Sequence, residues 1–305
     1  MSKTRKSLLS YSDDLGGESP PNGQWRERFD FLSATDILRW LQGAASSARA
    51  VVLQRFFKTG AGEYGAGDVF LGIGVPELRR CVRKTAPLPF SEIRELLMSR
   101  FHEARAVGVL LLVAGKVAGI SGTPATVPAV GAAERAKPFA GKVDAAKQEE
   151  IFNFYLECAR LGRINNWDLV DVSCKEIVGR RLLDKRDRSM LVKLAKNGNL
   201  WEQRIAIVST GCFITHGQFD DTLKIAKIFF THPHDLIHKA TGWMLREVGK
   251  KERSVLREFL TQNGSAMPRT ALRHAIEHFA PAERAKFLQR EKIRTRSKRR
   301  EPEQN

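Results

Sequence analysis

Apolar residues recur at steps of three and four positions from Ala34 onward. This spacing is typical of amphipathic helices, because it gathers apolar side chains on one face of a 3.6-residue turn. No segment shows the strict alternation and β-branched residues of a strand, so the pattern gives no indication of a sheet. The predicted helices cover about residues 34–57, 75–86, 90–99, 102–117, 148–161, 166–178, 189–196, 200–214, 219–230, 233–249, 251–263, 268–279 and 281–292.

These helices are short, and Gly, Pro and Asn residues separate them. Short helices with brief connections pack as antiparallel pairs, and stacked pairs form armadillo-type solenoids. We therefore predict an all-α fold, a HEAT-like solenoid of antiparallel helix pairs, with an irregular helical bundle as the alternative. A single domain over residues 25–292 is expected to contain all of these helices.

Three segments are poorly suited to packing and are predicted to be flexible. Residues 1–24 form a polar N-terminal tail rich in Ser, Gly and Pro, and residues 293–305 form a basic C-terminal tail. An insert of Gly, Ala and Pro residues at about 115–147 has too little large apolar surface to join a core.

The chain of 305 residues carries 51 Lys and Arg against 34 Asp and Glu, a net charge of +17. A polyanion, an acidic membrane surface or a simple excess of solubilising charge would each account for this charge. Residues 284–300 hold nine Lys and Arg against one Glu, and residues 11–283 keep a net charge of +8. The helical body is therefore basic in its own right.

The composition also indicates a protein that stays inside the cell. No uninterrupted run of about 18 apolar residues is present, and the N-terminus lacks the apolar core of a secretion signal, so neither membrane insertion nor secretion is expected. Cys81, Cys158, Cys174 and Cys212 lack the spacing of metal or redox motifs, which predicts reduced core thiols. The basic segment KIRTRSKRR favours the nucleus if the source is eukaryotic, and the cytoplasm otherwise.

A glycine-rich loop is predicted after the first helix. Gly60, Gly62 and Gly65 match the spacing of a dinucleotide-binding fingerprint, but the preceding segment is helical and no βαβ unit follows, so we reject nucleotide binding. The glycines around Tyr64 would let the backbone approach a phosphate closely, and a plain connecting loop is the alternative.

The predicted helix 166–178 has two distinct faces. Asn165 and Asp168 have the spacing of an N-cap with an acidic residue three positions on. At 100° per residue, the buried stripe comprises Leu169, Ser173 and Ile177, and a different face carries Trp167, Asp171 and Lys175. A tryptophan and a carboxylate turned away from the core indicate a binding or catalytic site. The alternative is structural: Trp167 packs under a neighbouring helix and Asp171 pairs with Lys175.

The predicted helix 233–249 also has a tryptophan on a face turned away from its core stripe, here with basic residues beside it. Lys239, Trp243 and Arg246 line one face at i, i+4 and i+7, which suits phosphates and a stacked base or cation, although Trp243 could instead pack between helical layers. Arg204 could clamp a phosphate or be an ordinary solvated arginine. His234 and His238 have the spacing of zinc ligands, but no third ligand accompanies them, so no metal site is expected.

Five sequence blocks occur here in the order that they have in a known family. They are YGAGDVFLGIGVPELRR from Tyr64, NWDLVD from Asn166, WEQRIAI from Trp201, KATGWMLRE from Lys239 and MPRTALRHAIEHF from Met267. Over roughly residues 50–285 the chain resembles the AlkD-like DNA alkylation repair family, the HEAT-like repeat DNA glycosylases. The resemblance implies a monomeric solenoid whose concave basic face holds duplex DNA with alkylated bases. It also implies a monofunctional glycosylase for N3- and N7-alkylated purines that uses no cofactor.

The resemblance also implies roles for individual residues. Asp171 looks like the family's catalytic carboxylate, and Trp167 and Trp243 look like the aromatic walls beside the lesion. Arg204 looks like the phosphate-gripping arginine, and Tyr64 falls in the loop that approaches the lesion. Lys239 and Arg246 are expected to line the same DNA groove, whereas the insert and both tails lie outside the family pattern.

Two other functions fit the same features. The first is a noncatalytic HEAT-repeat protein that binds damaged or branched DNA and needs no carboxylate. The second is a HEAT-repeat scaffold that binds another protein in its groove. Phosphate binding predicts a steep salt dependence of affinity, which a peptide groove does not require.

Overall fold

The computed structural model describes residues 31–118 and 145–298, with side chains up to Gln289. These residues form helices joined by turns, and their only β pairings are isolated bridges. The predicted all-α class is therefore confirmed. The described part divides into two compact units, one ending at Ser173 and one beginning at Cys174.

The first unit is built around a helix that is buried on every side. Its helices are α1 (Ala34–Gly43), α2 (Ser47–Phe56), α3 (Val75–Lys84), α4 (Phe90–Met98), α5 (His102–Val113), α6 (Ala145–Arg160) and α7 (Trp167–Asp171). All residues of α5 are buried, and α1, α3, α4 and α7 pack against it. The sequence HEARAVGVLLLV explains this position, since most of its side chains are small or apolar.

The second unit is centred on a long helix. Its elements are a π-helix (Lys175–Gly179), α8 (Arg180–Leu182), α9 (Ser189–Asn197), α10 (Leu200–Val208), α11 (Gly211–Thr215), α12 (Asp220–Ile228), a 3₁₀ turn (Phe229–Thr231), α13 (Asp235–Lys251), α14 (Arg253–Asn263), α15 (Arg269–Ala275) and α16 (Pro281–Lys298). Helices α10, α14 and α15 pack against α13. Gly242 permits the contact with α15, because a Cβ atom there would lie 2.5 Å from the carbonyl oxygen of Ala271.

In each unit, helices that follow one another closely in sequence pack together, as in a HEAT-like solenoid. Helices α4 and α5 do so, as do α9 and α10, and α13 and α14. Short connections between such neighbours make antiparallel packing the expected arrangement.

Three predicted helices are interrupted in the structure. Residues 34–57 form α1 and α2, because Ser46 begins a new helix by accepting a hydrogen bond from the Arg49 N–H. Residues 200–214 form α10 and α11, and residues 166–178 form α7 and the π-helix. Apolar periodicity continues through such breaks, which is why it does not reveal them.

The four cysteines are buried free thiols, as predicted. Helix α16 continues to Lys298, past the residue at which the sequence places the end of the domain. The N-terminal tail, most of the insert and residues 299–305 lie outside the described residues. The single-domain boundary and the flexibility of these segments stay predictions.

Candidate functional site

The short helix α7 carries two of the predicted site residues, Trp167 and Asp171. Its N-cap is Asn166, so the predicted cap at Asn165 is wrong by one residue. The Asn166 Oδ1 atom accepts the Trp167 N–H at 2.9 Å, and its Nδ2 atom donates to the Phe57 carbonyl at 3.4 Å. One buried amide thus caps α7 and ties it to the end of α2.

The Trp167 indole is half-buried against aromatic residues. It stacks on the Phe57 ring at 5.2 Å between centroids and 22°, and the Phe56 ring meets it edge-on at 5.9 Å. The alternative that Trp167 packs on a neighbouring helix is therefore confirmed for part of its surface. The indole still keeps partial exposure, so it is held in place without being enclosed.

Asp171 ends α7 one turn after Trp167, and its side chain is half-buried. The predicted faces of this segment are confirmed: Leu169, Ser173 and Ile177 are buried, and Trp167, Asp171 and Lys175 are half-buried. The Ser173 hydroxyl donates to the Leu169 carbonyl at 2.6 Å and contacts the Tyr155 hydroxyl at 2.7 Å. These buried hydrogen bonds fix the chain just after the carboxylate.

The glycine-rich loop that contains Tyr64 joins α2 to α3 and packs against the cap of α7. The Gly65 N–H donates to the Lys58 carbonyl at 2.9 Å. A Cβ atom on Gly65 would lie 2.5 Å from the Phe57 carbonyl and 3.1 Å from Asn166 Nδ2, so glycine is required for this approach. The loop follows helix α2 where the dinucleotide fingerprint requires a strand, which agrees with the rejection of a dinucleotide site. Half-buried Tyr64 is therefore anchored close in sequence to a contact with α7.

Behind α7 lies a group of four charged side chains that the sequence patterns did not indicate, here called the ionic cluster: buried Asp68, His102 and Arg105, and half-buried Asp168. The His102 Nδ1 atom donates to Asp68 at 2.9 Å, and its Nε2 atom donates to Asp168 at 2.8 Å. Arg105 forms a buried ion pair with the second oxygen of Asp68 and donates to Asn165 at 3.1 Å. The sequence signal that could have found the cluster was three charged residues, His102, Glu103 and Arg105, at the start of a helix that is otherwise small and apolar.

The surroundings of His102 favour its charged form. Burial by itself would lower the pKa of the imidazole, but Asp168 and Asp68 outweigh it and raise the pKa to about 9. Burial likewise acts to raise the pKa of Asp68, and the hydrogen bonds and charges of His102 and Arg105 reverse that effect and lower it. The cluster is therefore charged and balanced at neutral pH.

A carboxylate on α5, Glu103, holds the end of the glycine-rich loop. The Glu103 side chain is buried and accepts the backbone N–H groups of Leu71 at 2.9 Å, Gly72 at 2.8 Å and Ile73 at 3.2 Å. Charge-assisted hydrogen bonds of this kind are stronger than neutral ones. The sequence patterns gave no role to this residue either.

The second unit contains the other predicted site residues. The predicted core stripe of α13 is confirmed, since Ile237, Thr241, Met244 and Val248 are buried. Lys239, Trp243 and Arg246 are half-buried on the remaining surface. Lys239 pairs with Asp235 at 2.8 Å, and Arg246 pairs with Glu277. The structure thus places two basic side chains, with an aromatic ring between them, along one helix.

Arg204 is only 5% exposed, in contrast to an ordinary solvated arginine. Its Nη1 atom donates to the Leu236 carbonyl at 2.7 Å, so its guanidinium lies against the first turn of α13. His234 and His238 make local contacts: His234 accepts the Leu236 N–H at 3.1 Å, and His238 contacts the His232 carbonyl at 2.6 Å. Within the described residues, no group of three metal-ligating side chains is found.

The sequence profile of a family described as DNA alkylation repair enzymes matches residues 37–279. This chain belongs to the DNA alkylation repair enzyme family. The match contains all seven predicted site residues and all four members of the ionic cluster. DNA alkylation repair is therefore its role, and DNA is its partner.

A solved structure supports the fold of this DNA alkylation repair enzyme. It is described as a predicted DNA alkylation repair enzyme from Enterococcus faecalis, with a TM-score of 0.54 and 17% sequence identity. The similarity covers 78% of this chain and 97% of the other. No match is found among the curated proteins. Across the described residues, no helix of the repair enzyme is both long and apolar enough to cross a membrane.

In this repair enzyme, α7 offers an indole face and a carboxylate one turn apart, both partly accessible. Buried hydrogen bonds at the Asn166 cap and at Ser173 hold the chain on either side of them. An indole face attracts cations through its quadrupole, and a carboxylate attracts them through its charge. The arrangement suits a positively charged group, and a partly buried site strengthens both interactions because water screens them less.

Proposed function

We propose that this chain is a DNA glycosylase that hydrolyses the N-glycosidic bond of N3- and N7-alkylated purines, such as 3-methyladenine and 7-methylguanine, in duplex DNA. The observation that carries the proposal is the pairing of Trp167 and Asp171 on α7, with both side chains half-buried and the helix tied down at its cap. Family membership supports a substrate of alkylated DNA.

The proposed chemistry follows from the charge of the lesion. An N3- or N7-alkylated purine is a cation, so its glycosidic bond is weakened and breaks toward an oxocarbenium-like sugar. Asp171 would stabilise this developing positive charge and position the water that adds to C1′. The electron-rich face of Trp167 would lie against the cationic sugar or base. The electron pair of the glycosidic bond leaves with the purine, which departs as the neutral alkylated base. Water then adds to C1′ and gives up one proton to solvent, which completes the hydrolysis.

Residues of the second unit are proposed to bind the same duplex. The Lys239–Asp235 pair is partly exposed, with 39% and 56% of the two side chains accessible, and such pairs contribute little to stability. Lys239 can therefore exchange Asp235 for a phosphate at small cost. Arg246 and the well-buried Arg204 are proposed to add further phosphate contacts, and Trp243 to contact the lesion.

Release of alkylated purine from methylated duplex DNA tests the glycosylase directly. We expect Asp171→Asn to lower the single-turnover rate by about 10²–10³, because it removes one preorganised charge while preserving shape. Asp184→Asn is the matched control, since Asp184 is exposed in a turn, and it should keep the wild-type rate.

The other outcomes separate the alternatives. Wild-type protein that releases no alkylpurine would contradict the glycosylase, and a normal rate for Asp171→Asn would contradict the role of that carboxylate. Lesion-dependent binding without base release, unaffected by Asp171→Asn, would favour a noncatalytic protein that recognises damaged DNA.

A further inference from the structure

Helix α7 is too short to hold its own position. It has five residues, and an isolated helix of one turn is unstable in water because nucleation fixes more backbone than its hydrogen bonds stabilise. The orientation of Trp167 and Asp171 therefore depends on contacts to the rest of the unit. The Asn166 cap is one of these contacts, and the ionic cluster supplies another.

His102 connects α7 to the centre of the unit through Asp168. Its side chain is 3% exposed, and its two ring nitrogens contact Asp68 and Asp168 at 2.9 and 2.8 Å. Asp168 is the residue directly after Trp167, and its other oxygen accepts the Leu169 N–H at 2.8 Å. The imidazole thus joins the buried helix α5 to the first turn of α7.

The same imidazole reaches Trp167 through a column of stacked rings. His102 stacks on Phe70 at 4.3 Å and 20°, and Phe70 stacks on Phe57 at 5.0 Å and 16°. Phe57 in turn stacks on Trp167 at 5.2 Å and 22°. Two continuous paths, one ionic and one aromatic, therefore lead from His102 to Trp167.

The charges of the ionic cluster balance only when His102 is protonated. The carboxylates of Asp68 and Asp168 face the imidazole from the loop and from α7, and Arg105 approaches Asp68 from the same helix as His102. Two anions and two cations then sum to zero. Loss of the imidazole proton would leave a net negative charge in a buried place, which is unfavourable.

We infer that His102 is a positioning residue, which acts through Asp168 and the stacked rings to hold α7, and with it the Trp167 indole and the Asp171 carboxylate. Its placement of α7 stands on the geometry alone, and its effect on base release rests on the proposed glycosylase function. Protonated His102 keeps α7 in place, and deprotonation or replacement of the ring loosens it.

Fluorine NMR of protein labelled with 5-fluorotryptophan tests the placement of α7 without an activity measurement. Trp167→Phe identifies the Trp167 resonance. In the wild type we expect this resonance to shift with a midpoint near pH 9, as His102 loses its proton. In His102→Gln the inflection should be absent, and the resonance should be displaced at all pH values.

Asp68→Asn gives a second test, because only control of α7 by the charges of the ionic cluster predicts its result. This change leaves the cluster with an excess positive charge when His102 is protonated, so the midpoint of the Trp167 resonance should move to lower pH. Glu157→Gln is the matched control, because it breaks an exposed ion pair with Arg94 in the same unit and should leave the midpoint unchanged. A wild-type Trp167 resonance without inflection between pH 6 and 10 would overturn the inference.

Kinetics then separate the failure of this inference from the failure of the glycosylase. His102→Gln should lower the single-turnover rate of base release by about 10²-fold, since small displacements of reacting groups have effects of this size, while its affinity for undamaged duplex stays within about twofold. If the wild type releases no alkylpurine, the glycosylase fails and the NMR still decides the placement of α7. A full rate and an undisturbed Trp167 resonance in His102→Gln would overturn the positioning role.

Discussion

Asp168 and Asp171 occupy the same short helix and have different surroundings. Asp168 is 22% exposed at its side chain and is bound by His102 and by the Leu169 N–H. Asp171 lies one turn later, at the helix end, on the half-buried face with Trp167. One carboxylate serves the structure, and the other is proposed to serve the chemistry.

His102 should make the protein less stable at alkaline pH. Its folded pKa of about 9 exceeds the ordinary value of 6.5, so its stabilising effect is complete below pH 6.5 and is lost as the pH rises to about 9. The expected loss is about 3 kcal/mol, at about 1.4 kcal/mol per pKa unit. Urea unfolding of wild type and His102→Gln at pH 6, 7.5 and 9 measures it. A free-energy difference between the two proteins that stays constant with pH would contradict this expectation.

Sequence periodicity predicted some residues of the site and missed others for a physical reason. Trp167 and Asp171 were found because both belong to one local helical repeat. His102 was missed because its partners are distant in sequence, 34 residues away at Asp68 and 66 residues away at Asp168. Only the packing of α5 against the loop and α7 brings these charges together, and no local pattern records such contacts.

Several helices begin where a side chain caps the backbone, and these starting points were only partly predictable. Ser46 starts α2 and Asn199 starts α10 with a complete capping box, yet apolar spacing alone joined α1 to α2 in a single prediction. The π-helix after α7 was also missed, because five residues are too few for its wider turn to show in the apolar spacing. Helix existence follows from apolar spacing, whereas helix limits follow from caps and tertiary contacts.

The contact between α13 and α15 depends on the absence of a side chain at Gly242. A Cβ atom there would lie 2.5 Å from the Ala271 carbonyl and 2.6 Å from the Cβ of His274. Gly242→Ala should therefore force the helices apart and lower the free energy of unfolding by about 1–3 kcal/mol. Gly43→Ala is the matched control, because nothing lies within 4 Å of that Cβ position at the end of α1. Thermal or urea unfolding measures both, and equal stabilities would contradict the close approach.

At the scale of the whole molecule, the net charge of +17 can be related to a binding partner. Charge alone was compatible with a polyanion, an acidic membrane surface or a solubilising excess. Membership in the DNA alkylation repair enzyme family selects DNA. The all-α class could be predicted from apolar spacing, whereas the division into two units at Ser173 has no visible signal in the sequence.

Salt dependence of DNA affinity tests the proposed contacts of the second unit. The logarithm of affinity should fall linearly with the logarithm of salt concentration, with a slope of about −0.9 per neutralised phosphate. Lys239→Gln should weaken binding and reduce the slope by about 1. Arg257→Gln is the control, because Arg257 on α14 is paired with Glu283 on α16, away from the proposed contacts on α13. An affinity independent of salt would favour the protein-scaffold function instead.

The closed charge balance of the ionic cluster also limits how this sequence can drift. Replacing Asp68, His102 or Asp168 alone leaves a charge buried without its partner, a loss of about 3–5 kcal/mol in comparable cases. Substitutions in the ionic cluster are therefore tolerated when an acid and a base are replaced together, or when a second substitution soon restores the net charge of zero. Positions as far apart as 68 and 168 must therefore change together during evolution, although each belongs to a different element of the chain.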